Sequence, residues 1–395
     1  MNLDEILRLL EADYPEKKRL HKAINILKRP QNILKKKLIL KLSTGKKKVF
    51  QSYRVENNDA RGPFLGGTTY SSNLSEDYLK EFSLEESIKS ALVDIPFGGA
   101  LGGIDIDAKK TNMKDLERVT KLYSQFLSKS IGPWKDILST NMGTTEQTQF
   151  WMMESYEKRK RFHSPATFVT NNNSLDGAVY VLQEYLKNSN LASRFRKLDI
   201  AVCGFGKRAS LFLKNLNKQN FRIVAISDKS GGIINSNGFE IEEIKDLKTK
   251  FGTLKEVSVM TNKEYLTNEK LLELPVDILV VAADLVEKKT DFNINAKLVL
   301  ELGKLDKNKD GNFVILPNIL LNSGFSVLNH LDWIQRMHGY RWSREEVNKK
   351  LQNSIIKTFN EVKNIMEEKK IDYKEASYYI GIKRIADAMM SRGRV

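Results

Sequence analysis

Two glycine-rich stretches hold the residues best placed for chemistry. The first, Gly204-Phe205-Gly206-Lys207-Arg208-Ala209, follows the apolar run LDIAVC and fits the spacing G-x-G-x-x-G/A. The first glycine of such a turn permits a tight bend, and the second lets backbone approach a diphosphate. Ala209 is small enough for a helix to lie close on the preceding strand. A helix starting there would turn free N–H groups toward phosphate. The next apolar run closes on Ser227 and Asp228. A carboxylate at that point can accept from an adenine-ribose hydroxyl, which favours NAD over NADP, and Lys229 beside it softens the preference. The competing reading is a core turn kept for packing that binds nothing.

The second stretch is PFGGALGGIDI, with paired glycines on both sides of Leu101. A similar arrangement occurs at Gly62-Pro63-Phe64-Leu65-Gly66-Gly67. An alkane, unable to move a proton, stands in each. Nearby, ESIKSALVD carries Lys89, which taken alone reads as a solvated helix lysine. Asn141, in DILSTNMGT, could hydrogen-bond but not titrate. Cys203 is the one cysteine, so neither a disulfide within the chain nor a multi-cysteine metal site is expected. His21, His163, His330 and His338 are scattered without metal-ligand spacing, so no metal is expected. His330 and His338, beside Trp333, read as packing or surface residues.

These residues need a scaffold, and 395 residues with 41% hydrophobic content suffice for two cores. The fold expected is α/β: a Rossmann-type doubly wound domain plus an α+β domain. Residues 1–37 read as helical, followed by strands Leu38–Leu42 and Val49–Val55. Helices are expected near Glu76–Leu92, over 112–130 and from Glu146. Beyond about 175, strands and helices alternate. Strands are expected at 199–203, 222–227, 276–282, 297–300 and 313–316, a pattern of parallel sheet. Ala209, Phe212, Leu213 and Leu216 stripe one helix, and Val347, Leu351, Ile355, Phe359 and Val362 stripe another.

The formal net charge is +16, densest between Lys17 and Lys48, where Lys35-Lys36-Lys37 and Lys46-Lys47-Lys48 occur. Such a bias can draw nucleic acid or acidic metabolites. It can equally reflect lysine-rich, solvated faces. No apolar run reaches membrane-spanning length, and the N-terminus carries acids without a signal-peptide pattern, so a cytoplasmic protein with no membrane contact is expected.

Several segments together resemble the glutamate/leucine/phenylalanine/valine dehydrogenase family, and glutamate dehydrogenases in particular. They are YRVENNDARGP at 53–63, VDIPFGGALGG at 93–103, SDKSGGI at 227–233 and GYRWSREEVNKK at 339–350. The resemblance runs over almost the whole chain. It implies a substrate and oligomerisation domain over 1–170, completed by C-terminal helices 345–395, and a dinucleotide-binding domain over 171–344. It also implies NAD or NADP as cofactor, held by Gly204, Phe205, Gly206, Ala209, Ser227 and Asp228.

Carried over residue by residue, the resemblance exposes departures. The family's general-base lysine falls on Leu101, a substrate-carboxylate lysine on Leu65, and the catalytic aspartate on Asn141. Lys89 is the retained substrate-site lysine. The serine that meets the substrate side-chain carboxylate falls on Asn329. The loop before the second domain is shorter, and the family's A-T-G-x-G-V becomes Asn173-Ser174-Leu175-Asp176-Gly177-Ala178. The expected protein is therefore a divergent relative, impaired or inactive, acting as a binding, regulatory or assembly subunit. The alternative is an NAD(P)-dependent amino-acid oxidoreductase with altered substrate. The family forms hexamers, so a homo-oligomer, or a hetero-oligomer with an active relative, is expected.

Overall fold

The computed structural model describes residues 3–170, 175–191, 197–216, 219–283, 293–305 and 312–395. It divides into two compact units. One comprises 1–172, 326–354 and 375–395; the other comprises 173–325 and 355–374. Residues 326–344 thus cluster with the first unit and 355–374 with the second.

The first unit is built on a six-stranded sheet. Its strands are β1 (Asn32–Lys41), β2 (Lys47–Asn58), β3 (Phe64–Ser71), β4 (Gly98–Asp105), β5 (Asp136–Thr140) and β6 (Phe168–Val169), in spatial order β1-β2-β4-β3-β5-β6. β1, β2 and β4 run antiparallel to their neighbours in turn, while β3 is parallel to both β4 and β5. The expectation of helix through residue 37 is corrected here. Helices occupy Leu3–Leu10 and Lys17–Leu27, and β1 already begins at Asn32. β1 is an edge strand, where lysines are tolerated because their side chains reach water. Leu38 and Leu40 face the core, while Lys35, Lys37 and Ile39 lie on the opposite, exposed face. The lysine run is therefore split between two faces and makes no single basic stripe.

One face of this sheet is covered by helices Met113–Leu127 and Glu146–Lys160. Tyr70, Ile104, Leu138, Val119, Tyr123, Met152 and Phe168 form a shared core. On that face Arg54 and Asp136, both fully buried, form a bidentate pair at 2.7 and 2.5 Å. Arg54 also donates to the Gly67 carbonyl at 2.8 Å, fixing β3 from beneath. The helix Glu76–Leu92 covers the other face. Ser75 caps its start by accepting from the Tyr78 amide, and acids fill its first turn. It presses directly on β4: a Cβ at Gly99 would lie 2.0 Å from the Ser87 nitrogen. Ser83 and Ser87, small and buried, make that approach feasible.

The second unit holds a seven-stranded sheet. Its strands are β7 (Leu198–Cys203), β8 (Phe221–Asp228), β9 (Gly231–Ile234), β10 (Glu264–Leu266), β11 (Ile278–Val281), β12 (Leu298–Glu301) and β13 (Val314–Leu316), ordered β10-β9-β8-β7-β11-β12-β13. β8, β7, β11, β12 and β13 are mutually parallel, and β9 and β10 extend one edge antiparallel. This is the doubly wound α/β architecture read from the alternating pattern. The strand order reverses between β7 and β11, which places a ligand crevice at their carboxyl ends. Ala201, Ala225, Leu279, Val281 and Val299 are among the residues of its core. Among the described residues no helix is long and apolar enough to cross a membrane.

Candidate functional site

In the first unit Leu65 and Leu101, where the resemblance implies lysines, lie on one sheet face. Leu65 pairs with Gly99 across β3 and β4, and Leu101 is two residues further along β4. Side chains alternate along a strand, so Leu65 and Leu101 share a face. Leu101 is 1% exposed and clusters with Val55, Leu74 and Leu79, with Tyr53, Tyr78 and Phe82 packed around them. Leu65 is also buried. The face is lined with hydrocarbon around Leu101.

Asn141 follows the last residue of β5 and is exposed. Its amide donates to Thr144 Oγ1 at 2.8 Å, and that hydroxyl donates in turn to the Thr68 carbonyl at 2.9 Å. The side chain folds over Gly67, where an added Cβ would lie 2.6 Å from Asn141 Cβ. Gly67 thus lacks a side chain because Asn141 fills the space. The helix that carries Lys89 lies on the same face, since Gly99 meets Ser87 there. The Lys89 ammonium is held 2.5 Å from Glu86 Oε1, one turn back on its own helix. This cation is neutralised locally and mostly buried.

Asn329 is buried, and its Oδ1 has no hydrogen-bond partner among the described residues. His330, next in the chain, packs edge-on against Phe97 at 5.4 Å, and burial pushes its imidazole down to about 4. It is neutral near pH 7 and unsuited to binding an anion. Asn173 and Ser174, which the resemblance sets at the start of the second domain's first motif, lie outside the described residues. Among the described residues no group of acidic, histidine or cysteine side chains could hold a metal ion.

In the second unit the glycine turn stands between β7 and the helix Lys207–Lys214. Gly204 has φ +98°, and a Cβ there would meet the Ala283 nitrogen at 2.7 Å, so this position needs glycine. The Ser227 carbonyl accepts from the amides of Gly204 and Phe205 at 3.0 and 2.6 Å, pinning the turn to the end of β8. Gly206 is different. Among the described residues a Cβ there would touch nothing within 4 Å, so open space faces the backbone where a diphosphate would approach. Ala209 is fully buried under the turn. Ser227 Oγ is buried without a hydrogen-bond partner among the described residues. Glycine spacing, helix start and open cradle fit the diphosphate of a dinucleotide.

Asp228, the expected ribose acceptor, is at the end of β8 but already engaged. Oδ1 accepts from the Ser230 amide at 2.9 Å and hydroxyl at 2.7 Å. Oδ2 accepts from the Leu254 amide at 3.2 Å and lies 2.6 Å from Lys248 Nζ. Burial pushes its pKa upward, but the bonds from Lys248 and Ser230 outweigh this and hold it below the usual carboxylate value. Sequence reasoning missed Lys248, because no spacing rule links it to Asp228. It also missed the Arg54–Asp136 pair. The one available signal was Arg54 inside a motif-bearing strand.

Residues 30–158 match the model of the Glu/Leu/Phe/Val dehydrogenase dimerisation domain, and residues 172–393 match that of Glutamate/Leucine/Phenylalanine/Valine dehydrogenase. The chain is 31% identical to the cryptic catabolic NAD-specific glutamate dehydrogenase GudB of Bacillus subtilis (strain 168), over 98% of this chain and 93% of the relative. It is 30% identical to the NAD-specific glutamate dehydrogenase of Staphylococcus aureus (strain COL), over 93% and 92% respectively. Among solved structures, it superposes on the hetero-hexameric glutamate dehydrogenase of Thermus thermophilus (Leu bound form) with TM-score 0.87 at 23% identity, covering 98% of this chain and 95% of that one. The glutamate dehydrogenase of Peptoniphilus asaccharolyticus gives TM-score 0.77 at 26% identity, with 99% and 98% covered.

Proposed function

The chain belongs to the Glutamate/Leucine/Phenylalanine/Valine dehydrogenase family, and from that premise we propose a glutamate dehydrogenase-like protein impaired or inactive in oxidative deamination, acting as a binding, regulatory or assembly subunit. The observation that carries this reading is Leu101, sealed among Val55, Leu74 and Leu79 where the resemblance places the general base. No titratable atom can enter that position without breaking an apolar cluster.

The other site residues support it. Asn141 keeps the outline of an acid but cannot exchange a proton. Leu65 and Leu101 together remove two cations from the face, and the Lys89 ammonium is paired with Glu86. A dicarboxylate entering there would lose its hydration with too few partners, at a cost of roughly several kcal/mol. Loss of one general acid or base costs about 10²–10⁴-fold in rate, and two such losses need not multiply.

NAD or NADP, when bound, would supply the hydride acceptor. Gly204, Phe205, Gly206 and Ala209 would seat its diphosphate, and Ser227 and Asp228 would lie on the adenosine side. The relatives named NAD-specific support a retained dinucleotide. The similar hetero-hexameric enzyme supports an assembly role, as one subunit of a homo- or hetero-hexamer.

The test is oxidation of NADH and NADPH with 2-oxoglutarate and ammonia, for which no turnover is expected. Ready turnover by the unmodified protein would sink the reading. A second reading is favoured by the open diphosphate cradle beside Gly206 together with the apolar Leu65 and Leu101: an NAD(P)-dependent oxidoreductase for a less polar amino acid. Reduction of NAD by a panel of monocarboxylic amino acids would establish it in place of the first.

A further inference from the structure

We propose, resting on the cofactor reading above, that Lys248 governs the choice between NAD and NADP by neutralising Asp228, so that the adenosine site accepts a 2′-phosphate as readily as a 2′-hydroxyl. Lys248 sits in the helix Ile241–Phe251. Its ammonium lies 2.6 Å from Asp228 Oδ2 and donates to the Phe205 carbonyl at 3.0 Å. One cation thus ties the glycine turn to the carboxylate expected to meet the ribose.

An aspartate after the second strand of such a fold favours NAD for two reasons. It accepts from the ribose hydroxyls, and it repels a 2′-phosphate. Both effects are blunted here. A carboxylate offers about four acceptor positions. The Ser230 amide and hydroxyl, the Leu254 amide and Lys248 supply four donors. A ribose hydroxyl would have to displace one of them. The repulsion is offset by an ammonium in direct contact with the carboxylate. The Lys248 side chain is 27% exposed and that of Asp228 12%, so the pair is screened less than a fully exposed one. The lysine can also turn from the carboxylate to a 2′-phosphate, which accepts charge-assisted bonds from it.

Adenosine half-cofactors isolate this choice from catalysis. The full chain is titrated calorimetrically with 5′-AMP and 2′,5′-ADP, and with NADH and NADPH by nicotinamide fluorescence. Expected is 2′,5′-ADP binding within about threefold of 5′-AMP. Lys248→Met should weaken 2′,5′-ADP about tenfold or more, the loss of one charge-assisted bond, and barely change 5′-AMP. Lys248→Arg, which keeps the charge, should keep 2′,5′-ADP binding and so separates lost charge from lost folding. Binding of 5′-AMP without 2′,5′-ADP in the unmodified protein overturns the assignment, as does an equal loss of both nucleotides in Lys248→Met. If none of the four ligands binds, the cofactor reading itself fails, and this proposal with it.

Discussion

Leu101 lies directly opposite Val55 in the antiparallel β2–β4 ladder, and neither is more than 1% exposed. Their side chains meet Leu74 and Leu79 beneath Tyr53, Tyr78 and Phe82. An ammonium placed here would find no carboxylate within the cluster. Leu101→Lys is therefore expected to destabilise the first unit by about 3 kcal/mol or more and not to restore glutamate oxidation. Leu101→Met, which conserves volume, should cost less than about 1.5 kcal/mol. Tryptophan fluorescence in denaturant measures both, because Trp134, Trp151, Trp333 and Trp342 all lie in that unit. A stable, active Leu101→Lys protein would show that the face tolerates a base after all.

The five parallel strands of the second unit were legible within a residue or two, whereas the antiparallel edge strands β9 and β10 were not expected. The plainest are short runs rich in Val, Ile and Leu, as at 278–281 and 298–301. β3 and β4 were not legible. Glycine has low strand propensity, and β4 holds four glycines. Only the helix lying on Gly99 and the side chain lying on Gly67 explain why they are needed. β1 misled for another reason: its lysines suit a solvated helix and an edge strand equally. At the candidate site, the types of Leu65, Leu101 and Asn141 could be read directly, but the common face of Leu65 and Leu101 could not, because strand register is a long-range property. Lys248 was invisible for the same reason. Phe205 precedes it by the helix Lys207–Lys214 and the strands β8 and β9, and Asp228 precedes it by β9.

The buried pair of Arg54 and Asp136 makes a second prediction. Removing one partner strands the other charge in the core, a loss of about 3–5 kcal/mol. Asp136→Leu should therefore be severe. The double variant Arg54→Met, Asp136→Leu should be less destabilised than Asp136→Leu alone, although the Gly67 carbonyl then loses its donor. Denaturant midpoints of the two variants decide this. A double variant worse than the single would mean that Arg54 matters chiefly as the support of β3.

Glu56 and His330 give opposing pH dependences in the first unit. Glu56 is 4% exposed; burial, reinforced by the charge of Asp136, pushes it up from 4.5 to about 7. The folded state then binds more protons than the unfolded between about pH 4.5 and 7, so stability falls as pH rises through that window. His330 is lowered from 6.5 to about 4 by burial, so the unfolded state binds more protons between those values and stability rises with pH. Each effect amounts to roughly 3 kcal/mol at full extent, at about 1.4 kcal/mol per pKa unit. In the unmodified protein they largely cancel from about pH 4.5 to 6.5. Glu56→Gln should expose a rising curve, and His330→Phe a falling one. Fluorescence-monitored unfolding across this range tests both, and parallel curves for the two variants would refute the assignment.

Gly204 and Gly206 separate what folding requires from what a dinucleotide requires. At Gly204 the backbone has φ +98° and a Cβ would press on the Ala283 nitrogen at 2.7 Å, so Gly204→Ala should lower the thermal midpoint whether or not a cofactor binds. At Gly206 the backbone is extended, with φ −110° and ψ −168°, and the added methyl group would meet no atom of the described residues within 4 Å. Alanine is conformationally acceptable there, so Gly206→Ala should change stability by less than about 1 kcal/mol. The methyl group would instead stand in the space that a diphosphate needs next to the helix Lys207–Lys214. NADH binding should weaken by about tenfold or more, the equivalent of roughly 1.4 kcal/mol. Circular dichroism melts and nicotinamide fluorescence titrations on the same samples distinguish the two effects. A Gly206→Ala protein that melts normally and binds NADH as tightly as the parent would mean that the dinucleotide diphosphate does not rest on this turn.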